Sequence, residues 1–114
     1  MKHKKCILFL ISITLLLFSS CGYSMNSLPQ GEKLASYSSP SEQYTVVIYL
    51  CNGGATVDYS IRGELIDHST DIKKNIYWSY HESEAKVEWI DETTVMINNK
   101  RLNIETDIYD WRQE

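Results

Sequence analysis

From residue 33 onward the hydrophobic residues follow a period of two, and this pattern limits the chain to β-structure. It is clearest in residues 57–65 (VDYSIRGEL), where apolar and polar residues alternate along the whole segment. Alternation predicts a strand with one face in a core and the other face in water. Residues 44–51 (YTVVIYLC) are mostly β-branched or aromatic, which is typical of a central strand covered on both faces. Cys51, at the end of this segment, is expected to be a buried thiol.

The turn residues between these segments predict an all-β fold. Such residues recur at a spacing of about ten and separate one apolar segment from the next. No segment has the length of a helix that could connect parallel strands, so we expect an antiparallel sheet. The prediction is a small antiparallel meander or sandwich of about six to seven short strands over residues 33–114. Trp78 and Trp89 are expected in its core, and Ile76, Trp78 and Tyr80 on one side of a strand.

The N-terminal residues have the pattern of an export signal followed by a lipid-attachment cysteine. A basic head with three lysines precedes an apolar stretch over residues 6–18, which is the form of a secretory signal. As a helix this stretch spans about 20 Å, which is short of a hydrocarbon core of about 30 Å. Ser19, Ser20 and Cys21 then resemble the lipobox of bacterial lipoproteins, in which the cysteine receives a diacylglycerol and the chain is cut before it.

This pattern predicts the organisation of the chain. We expect a lipoprotein signal peptide, with a hydrophobic helix, over residues 1–20, lipid attachment at Cys21 and a tether over residues 21–32. The mature protein is expected on the extracytoplasmic side of the cell membrane, where two acyl chains give stable attachment. One alternative stays open: residues 6–30 carry no charge, so an uncleaved helix could span the membrane. Release of the protein after cleavage is a second alternative.

The charge of the mature chain argues against some classes of partner. The whole sequence has 11 basic and 15 acidic residues, for a formal charge of -4. Removal of residues 1–20 takes away three lysines and no acid, so eight basic and 15 acidic residues remain, for a charge of -7. Nucleic-acid phosphates and anionic lipid headgroups repel a domain of that charge. We therefore expect neither nucleic-acid binding nor an electrostatic membrane-binding face.

Several segments of the chain resemble the family known as domain of unknown function 5412. They cover nearly all of the mature chain and are MNSLPQGE (25–32), SPSEQYTV (39–46), YLCNGGATVDYSIRGEL (49–65), KNIYW (74–78) and VEWIDETTVMIN (87–98). The resemblance implies a protein of spore-forming Gram-positive bacteria, with one hydrophobic N-terminal segment and an outward-facing domain. It implies no catalytic residue, because the family has no established activity. The lipobox at the end of the hydrophobic segment departs from the family pattern.

Two sequence features are candidates for a binding surface. The first is the loop Asn52-Gly53-Gly54, whose glycines either close a tight hairpin or expose backbone N–H groups that can bind an anion. We favour the hairpin and keep a ligand or partner contact at this loop as the alternative. The second feature is a set of aromatic residues that could contact a sugar or a peptide if they are exposed: Tyr77, Tyr80, Tyr109 and Trp111.

Catalytic and metal-binding residues are not expected. Residues 81–84 (HESE) lack the regular spacing of zinc ligands, so a solvated acidic loop is the better interpretation. Asp58 with Glu64 could be imagined as the carboxylate pair of a hydrolase, but alternating charge on the solvent side of a strand explains both residues. Ser60 with His81 could be imagined as a nucleophile and its base, but the sequence has no G-x-S-x-G motif.

These observations together predict a non-enzymatic, membrane-anchored extracytoplasmic lipoprotein whose β domain binds a partner protein or the cell envelope. No cofactor is expected. The alternative is a binder of a small ligand or a glycan that uses exposed aromatic side chains. The folded surface distinguishes the two functions. A contiguous apolar patch favours a partner protein, whereas a concave pocket with converging polar groups favours a small ligand.

Overall fold

The computed structural model describes residues 24–113, whose regular structure consists of eight β-strands and two short 3-10 turns. The all-β prediction is confirmed, with eight strands where about six to seven were expected. No helix among these residues is long and apolar enough to cross a membrane. The predicted signal peptide and Cys21 lie outside the described residues. The elements are the N-terminal turn (Met25–Ser27), β1 (Glu32–Ser38), β2 (Tyr44–Asn52), β3 (Tyr59–Asp67), β4 (Ile72–Tyr80), β5 (Val87–Trp89), β6 (Thr94–Ile97), β7 (Lys100–Asn103), β8 (Tyr109–Asp110) and the C-terminal turn (Trp111–Gln113).

Five strands form the larger sheet, in the order β1-β2-β3-β4-β8. The first four strands pair in sequence as antiparallel hairpins. β8 pairs with β4 in parallel, with Tyr77 beside Tyr109, so the expectation of a purely antiparallel sheet is wrong at this edge. The reason lies in the connection: a three-stranded sheet, rather than a helix, carries the chain from β4 back to the start of β8.

The smaller sheet, β5-β6-β7, packs against one face of the larger sheet, which we call the inner face. Gly63 in β3 lies opposite Tyr77 in β4, and a Cβ on Gly63 would be only 2.9 Å from the Tyr77 Cβ. It would also lie 3.4 Å from Ile97 Cδ1 of the smaller sheet, so the missing side chain lets the two sheets approach. Trp89 is half-buried at the border of the core. The buried core residues are Val46, Ile48, Ile61, Leu65, Ile76, Tyr77, Val95, Ile97, Leu102 and Ile104.

A β-bulge in β4 determines which aromatic residues face the core. The register of β3 against β4 leaves Ile76 as an extra residue in β4. Ile76 and Tyr77 both contact the core, whereas Trp78 and Tyr80 lie on the opposite face, which we call the outer face. The prediction that Ile76, Trp78 and Tyr80 share one side is therefore wrong, because it assumed uninterrupted alternation.

Residues 24–31, which we call the strap, cover part of the outer face. The carbonyl oxygen of Met25 accepts a hydrogen bond of 2.6 Å from Asn75 Nδ2 in β4. Near the other end of the strap, the carbonyl oxygen of Gln30 accepts one of 2.7 Å from Arg62 Nη2 in β3. Most of the segment predicted as a tether is therefore bound to the sheet. The last tether residue, Glu32, begins β1.

Because the strap covers it, Arg62 is buried and only 3% exposed. Its Nη1 donates hydrogen bonds to Asn75 Oδ1 over 2.8 Å and to Glu64 Oε2 over 3.4 Å. The guanidinium carbon lies 4.0 Å from the centroid of the Tyr49 ring, in a cation–π contact. The alternation in residues 57–65 places Arg62 in water, and this prediction is wrong because one strand's pattern does not show what covers its second face.

Candidate functional site

A pocket with a volume of about 290 Å³ lies on the outer face, where β2 leads into β3. Its walls are mostly apolar, and they come from six elements of the chain. The strap contributes Pro29, β2 contributes Cys51, β3 contributes Ser60, and the connection between these strands contributes Val57. We call this site the aromatic pocket, because rings from β4 and from the C-terminal turn complete its lining.

The rings of the aromatic pocket are Trp78, Tyr80 and Trp111. Trp78 is buried on the outer face, where its strand β4 has β3 on one side and β8 on the other. The ring centroids of Tyr80 and Trp111 are 5.2 Å apart, and the planes are tilted by 32°. Trp111 is 38% exposed, so part of its ring is open to a ligand. Aromatic walls of this kind suit an apolar side chain or the flat face of a sugar ring.

The predicted loop Asn52-Gly53-Gly54, which we call the glycine loop, forms part of the pocket wall through its first two residues. Asn52 Oδ1 accepts a hydrogen bond of 3.0 Å from the Gly54 N–H. The Gly54 carbonyl oxygen accepts one of 3.3 Å from the Val57 N–H. Gly54 has a φ of 113°, which favours glycine. The N–H groups of Gly54 and Val57 therefore have acceptors within the same turn. The glycine loop closes the hairpin of β2 and β3.

His81 and Asp58 form an exposed hydrogen-bonded pair beside the pocket. His81 Nδ1 and Asp58 Oδ2 are 2.8 Å apart, and the His81 ring lies 3.9 Å from the ring of Tyr80. The Asp58 N–H donates to the hydroxyl oxygen of Tyr80 over 3.1 Å. The hydrogen bonds from His81 and from the Tyr59 N–H lower the pKa of Asp58 below its usual value. Asp58 is therefore an ionised acceptor near neutral pH and is poorly suited to donate a proton.

The thiol of Cys51 is a second potential nucleophile in the pocket lining, besides the Ser60 hydroxyl. Cys51 is buried, as predicted, and its Sγ donates to the carbonyl oxygen of Pro29 over 3.7 Å. Burial raises the pKa of this thiol, and the nearby Arg62 only partly offsets the effect. A raised pKa leaves little thiolate at neutral pH. Among residues 24–113, no three His, Cys, Asp or Glu side chains are grouped to hold a metal ion.

A second hollow, of about 330 Å³, lies at the opposite end of the larger sheet. Tyr44 supplies its one ring, and the other walls combine aliphatic side chains with charged ones. Its carboxylate at Asp67 accepts hydrogen bonds from the Ser69 hydroxyl over 2.7 Å and from the Ser69 N–H over 2.9 Å. These bonds lower the pKa of Asp67. Because this carboxylate is already engaged and only one ring is present, the aromatic pocket is the better candidate for binding.

Comparison with family models covers almost the whole chain. The model described as Family of unknown function (DUF5412) matches residues 2–114. The chain belongs to this family. The resemblance seen in the sequence is thereby confirmed at the level of the DUF5412 family, whose description names no activity and no site residues. Neither the search of curated proteins nor the search of solved structures found a match.

The two predicted binding features of this DUF5412 chain meet only in part. Tyr80 and Trp111, from the predicted aromatic set, line the same pocket as the glycine loop. The other two members do not reach it. Tyr77 is fully buried in the core, and Tyr109 stacks on it with ring centroids 5.2 Å apart. The aromatic set is therefore split between the core of the DUF5412 domain and its candidate site.

Five of the nine lining residues were not predicted as parts of a binding surface: Pro29, Cys51, Val57, Ser60 and Trp78. Trp78 was assigned to the core, Val57 to an ordinary strand position and Pro29 to the tether. A signal for Pro29 exists two residues later, at Gly31, which has a φ of 74°. A Cβ on Gly31 would lie 2.7 Å from Cys51 Sγ. A glycine two residues after a proline, just before a strand, can therefore indicate a segment that bends closely onto the sheet.

Proposed function

We propose that this protein is an extracytoplasmic lipoprotein, anchored through Cys21, whose β domain binds a component of the cell envelope without catalysing a reaction. The observation that carries the binding function is the aromatic pocket, in which Tyr80, Trp111 and Trp78 form a largely apolar cavity. Its volume of about 290 Å³ is near the lower end of typical ligand pockets. A cavity of this size accommodates one apolar side chain or one sugar ring.

The first candidate for the bound component is a protein of the envelope that inserts an apolar side chain. Val57 is 45% exposed at the pocket and Trp111 is also exposed, so apolar surface continues from the cavity to its surroundings. The second candidate is a glycan. The tilted Tyr80–Trp111 pair favours it, because a sugar can lay its apolar face on an exposed ring while its hydroxyls reach polar groups.

The chemistry around the pocket supports a binding role. The Asp58 carboxylate, with its lowered pKa, is hydrogen-bonded to His81 Nδ1, and within residues 24–113 no hydrogen bond joins His81 to Ser60. The Cys51 thiol is buried and has a raised pKa. General acid–base or nucleophilic catalysis requires a group whose pKa is matched to its task. The Asp58 carboxylate and the Cys51 thiol lack that property, so a non-enzymatic function fits the site better.

Photo-crosslinking in intact cells tests binding at the pocket. A photoreactive residue at position 57 should form a discrete crosslinked product, because Val57 is at the pocket and 45% exposed. The matched control is position 90, since Ile90 is 43% exposed and belongs to neither described hollow. Trp111→Ala should remove the product formed from position 57. Equal products from both positions, or a product that persists in Trp111→Ala, would contradict binding at this site.

A titration distinguishes the two candidate ligands. Soluble fragments of cell-wall glycan are added to the purified protein while tryptophan fluorescence is recorded. If a glycan occupies the pocket, the fluorescence should change saturably in the wild type and not in Trp111→Ala. No saturable change, together with a crosslinked protein identified by mass spectrometry, would assign the pocket to a protein partner.

Lipid labelling tests the anchor. Replacing Cys21 with alanine is expected to abolish incorporation of labelled lipid, because the thiol is the group that forms the thioether. Cys51→Ala is the matched control and should label like the wild type, since Cys51 is buried in the folded domain. Label that persists in Cys21→Ala would disprove the anchor. Membrane-bound wild type that carries no label and keeps residues 1–20 would instead support a spanning N-terminal helix.

A further inference from the structure

The described chain begins on the outer face of the larger sheet. The Ser24 carbonyl oxygen accepts a hydrogen bond of 3.5 Å from Arg112 Nη2 in the C-terminal turn. The next carbonyl oxygen, of Met25, accepts a bond from Asn75 in β4. The connection from Cys21 therefore reaches the domain on this face, beside β4 and the C-terminal turn.

The strap is bound at several points and cannot act as a spacer. The Gln30 carbonyl oxygen is bound by the Arg62 guanidinium. The same guanidinium donates to Asn75 and lies over the Tyr49 ring on the outer face, so it is fixed to the larger sheet. The Pro29 carbonyl oxygen accepts from Cys51. Gly31 lies so close to the Cys51 thiol that a side chain there would clash. Both ends of the strap are thus attached to the larger sheet, and its length adds nothing to the distance from the membrane.

The link that remains between lipid and domain is short. Three residue steps separate Cys21 from Ser24, and a fully extended chain of that length spans at most about 11 Å. Two packed sheets are about 10 Å apart between their mid-planes, and the side chains on the two outer surfaces make the domain thicker than this. The link is therefore too short for the face that contains Ser24 to point away from the bilayer.

We propose that the outer face, including the strap, the C-terminal turn and Trp111, rests on the membrane surface that holds the anchor; this rests on the proposed lipid attachment at Cys21. Trp111 is 38% exposed on this face, and tryptophan is enriched at membrane–water interfaces. The mature charge of -7 provides no attraction to anionic headgroups. The short link and the indole ring of Trp111 therefore keep the outer face on the membrane surface. The aromatic pocket then receives groups presented at the bilayer surface.

Fluorescence quenching in vesicles tests this orientation. The lipidated full chain is placed in phosphatidylcholine vesicles that contain lipid with a nitroxide on its headgroup. One variant, Trp78→Phe with Trp89→Phe, keeps only Trp111, and the matched variant, Trp78→Phe with Trp111→Phe, keeps only Trp89. Trp89 belongs to the smaller sheet and donates its indole N–H to the Tyr37 carbonyl oxygen, away from the outer face. Quenching of Trp111 is expected to exceed that of Trp89 by about twofold or more.

A longer link and a mass measurement complete the test. About ten Gly and Ser residues inserted between Gly22 and Tyr23 add roughly 17 Å of average reach, and should reduce the quenching of Trp111 to the level of Trp89. Undiminished quenching after this insertion would contradict the role of the short link. If Cys21 is acylated by mass spectrometry but both tryptophans are quenched equally, the orientation is wrong and the anchor stands. If Cys21 carries no acyl group, the proposed anchor fails and the orientation fails with it.

Discussion

Replacing Arg62 with methionine is expected to lower the free energy of unfolding by about 2–4 kcal/mol. The guanidinium is buried and donates to the Gln30 carbonyl oxygen, to Asn75 and to Glu64. Methionine fills part of the volume beside Tyr49 but donates no hydrogen bond, so the carbonyl and carboxylate oxygens lose their partner. These oxygens are partly buried, and leaving such groups without a donor costs more than the net worth of the original bonds. Urea unfolding followed by tryptophan fluorescence measures the loss.

Hydrogen exchange in the strap is a second measurement on the Arg62→Met variant. Because Arg62 binds Gln30, its removal should also increase hydrogen exchange in residues 24–31 more than in the core strands. Arg101→Met is the matched control, since Arg101 is exposed and surface substitutions usually change stability by about 0.5 kcal/mol or less. Adding Glu64→Leu to Arg62→Met should recover part of the stability, because the unpaired carboxylate is removed as well. A loss below about 0.5 kcal/mol with unchanged exchange in the strap would show that Arg62 does not hold it.

The buried arginine also shows what the sequence could predict and what it could not. Alternation in residues 57–65 correctly predicted a strand, because a period of two follows from backbone geometry alone. It could not predict that residues 24–31 lie across the outer face. That segment is uncharged and aperiodic, so it has the composition of a linker, and its attachment depends on a side chain about thirty residues away in sequence. Long-range contacts of this kind leave no local pattern.

The same distinction holds for β4 and β8. The composition of residues 72–80 predicted a strand, which is present. The side of the sheet taken by each residue depends on the bulge at Ile76, and the bulge is visible only in the register with β3. The parallel edge strand of two residues, Tyr109–Asp110, is too short to give a periodic signal, so its direction could not be read from the sequence.

The candidate site was predicted to a smaller extent than the fold. The glycine loop and two aromatic residues, the half-buried Tyr80 and the exposed Trp111, were identified as separate features. Their convergence depends on the C-terminal turn, which follows the parallel strand β8 and brings Trp111 onto Tyr80. The contribution of Pro29 depends on the strap. A pocket assembled from four separated segments requires the tertiary structure, even when single residues stand out in the sequence.

Tyr77→Ala is expected to destabilise the protein more than any other substitution considered, by about 3–5 kcal/mol in urea unfolding. Tyr77 is fully buried and its ring stacks on Tyr109, so alanine would leave a cavity between the two sheets. The neighbouring backbone cannot easily collapse into that cavity, because Gly63 has no side chain to move and Ile97 belongs to the facing sheet. Retained cavity volume is what makes large-to-small substitutions costly.

Tyr77→Phe separates the ring from the hydroxyl. The Tyr77 hydroxyl donates to Glu82 Oε1 over 2.5 Å, and Asn98 Nδ2 donates to the same oxygen over 3.0 Å. Burial, and then the hydrogen bond to Glu82, raise the pKa of Tyr77, so the hydroxyl keeps its proton and remains a donor. Because Phe retains the ring, we expect a loss of only about 1 kcal/mol. Trp89→Ala should cost less than Tyr77→Ala, since Trp89 is half-buried. If Tyr77→Ala costs no more than Tyr77→Phe, the ring does not fill the core between the sheets.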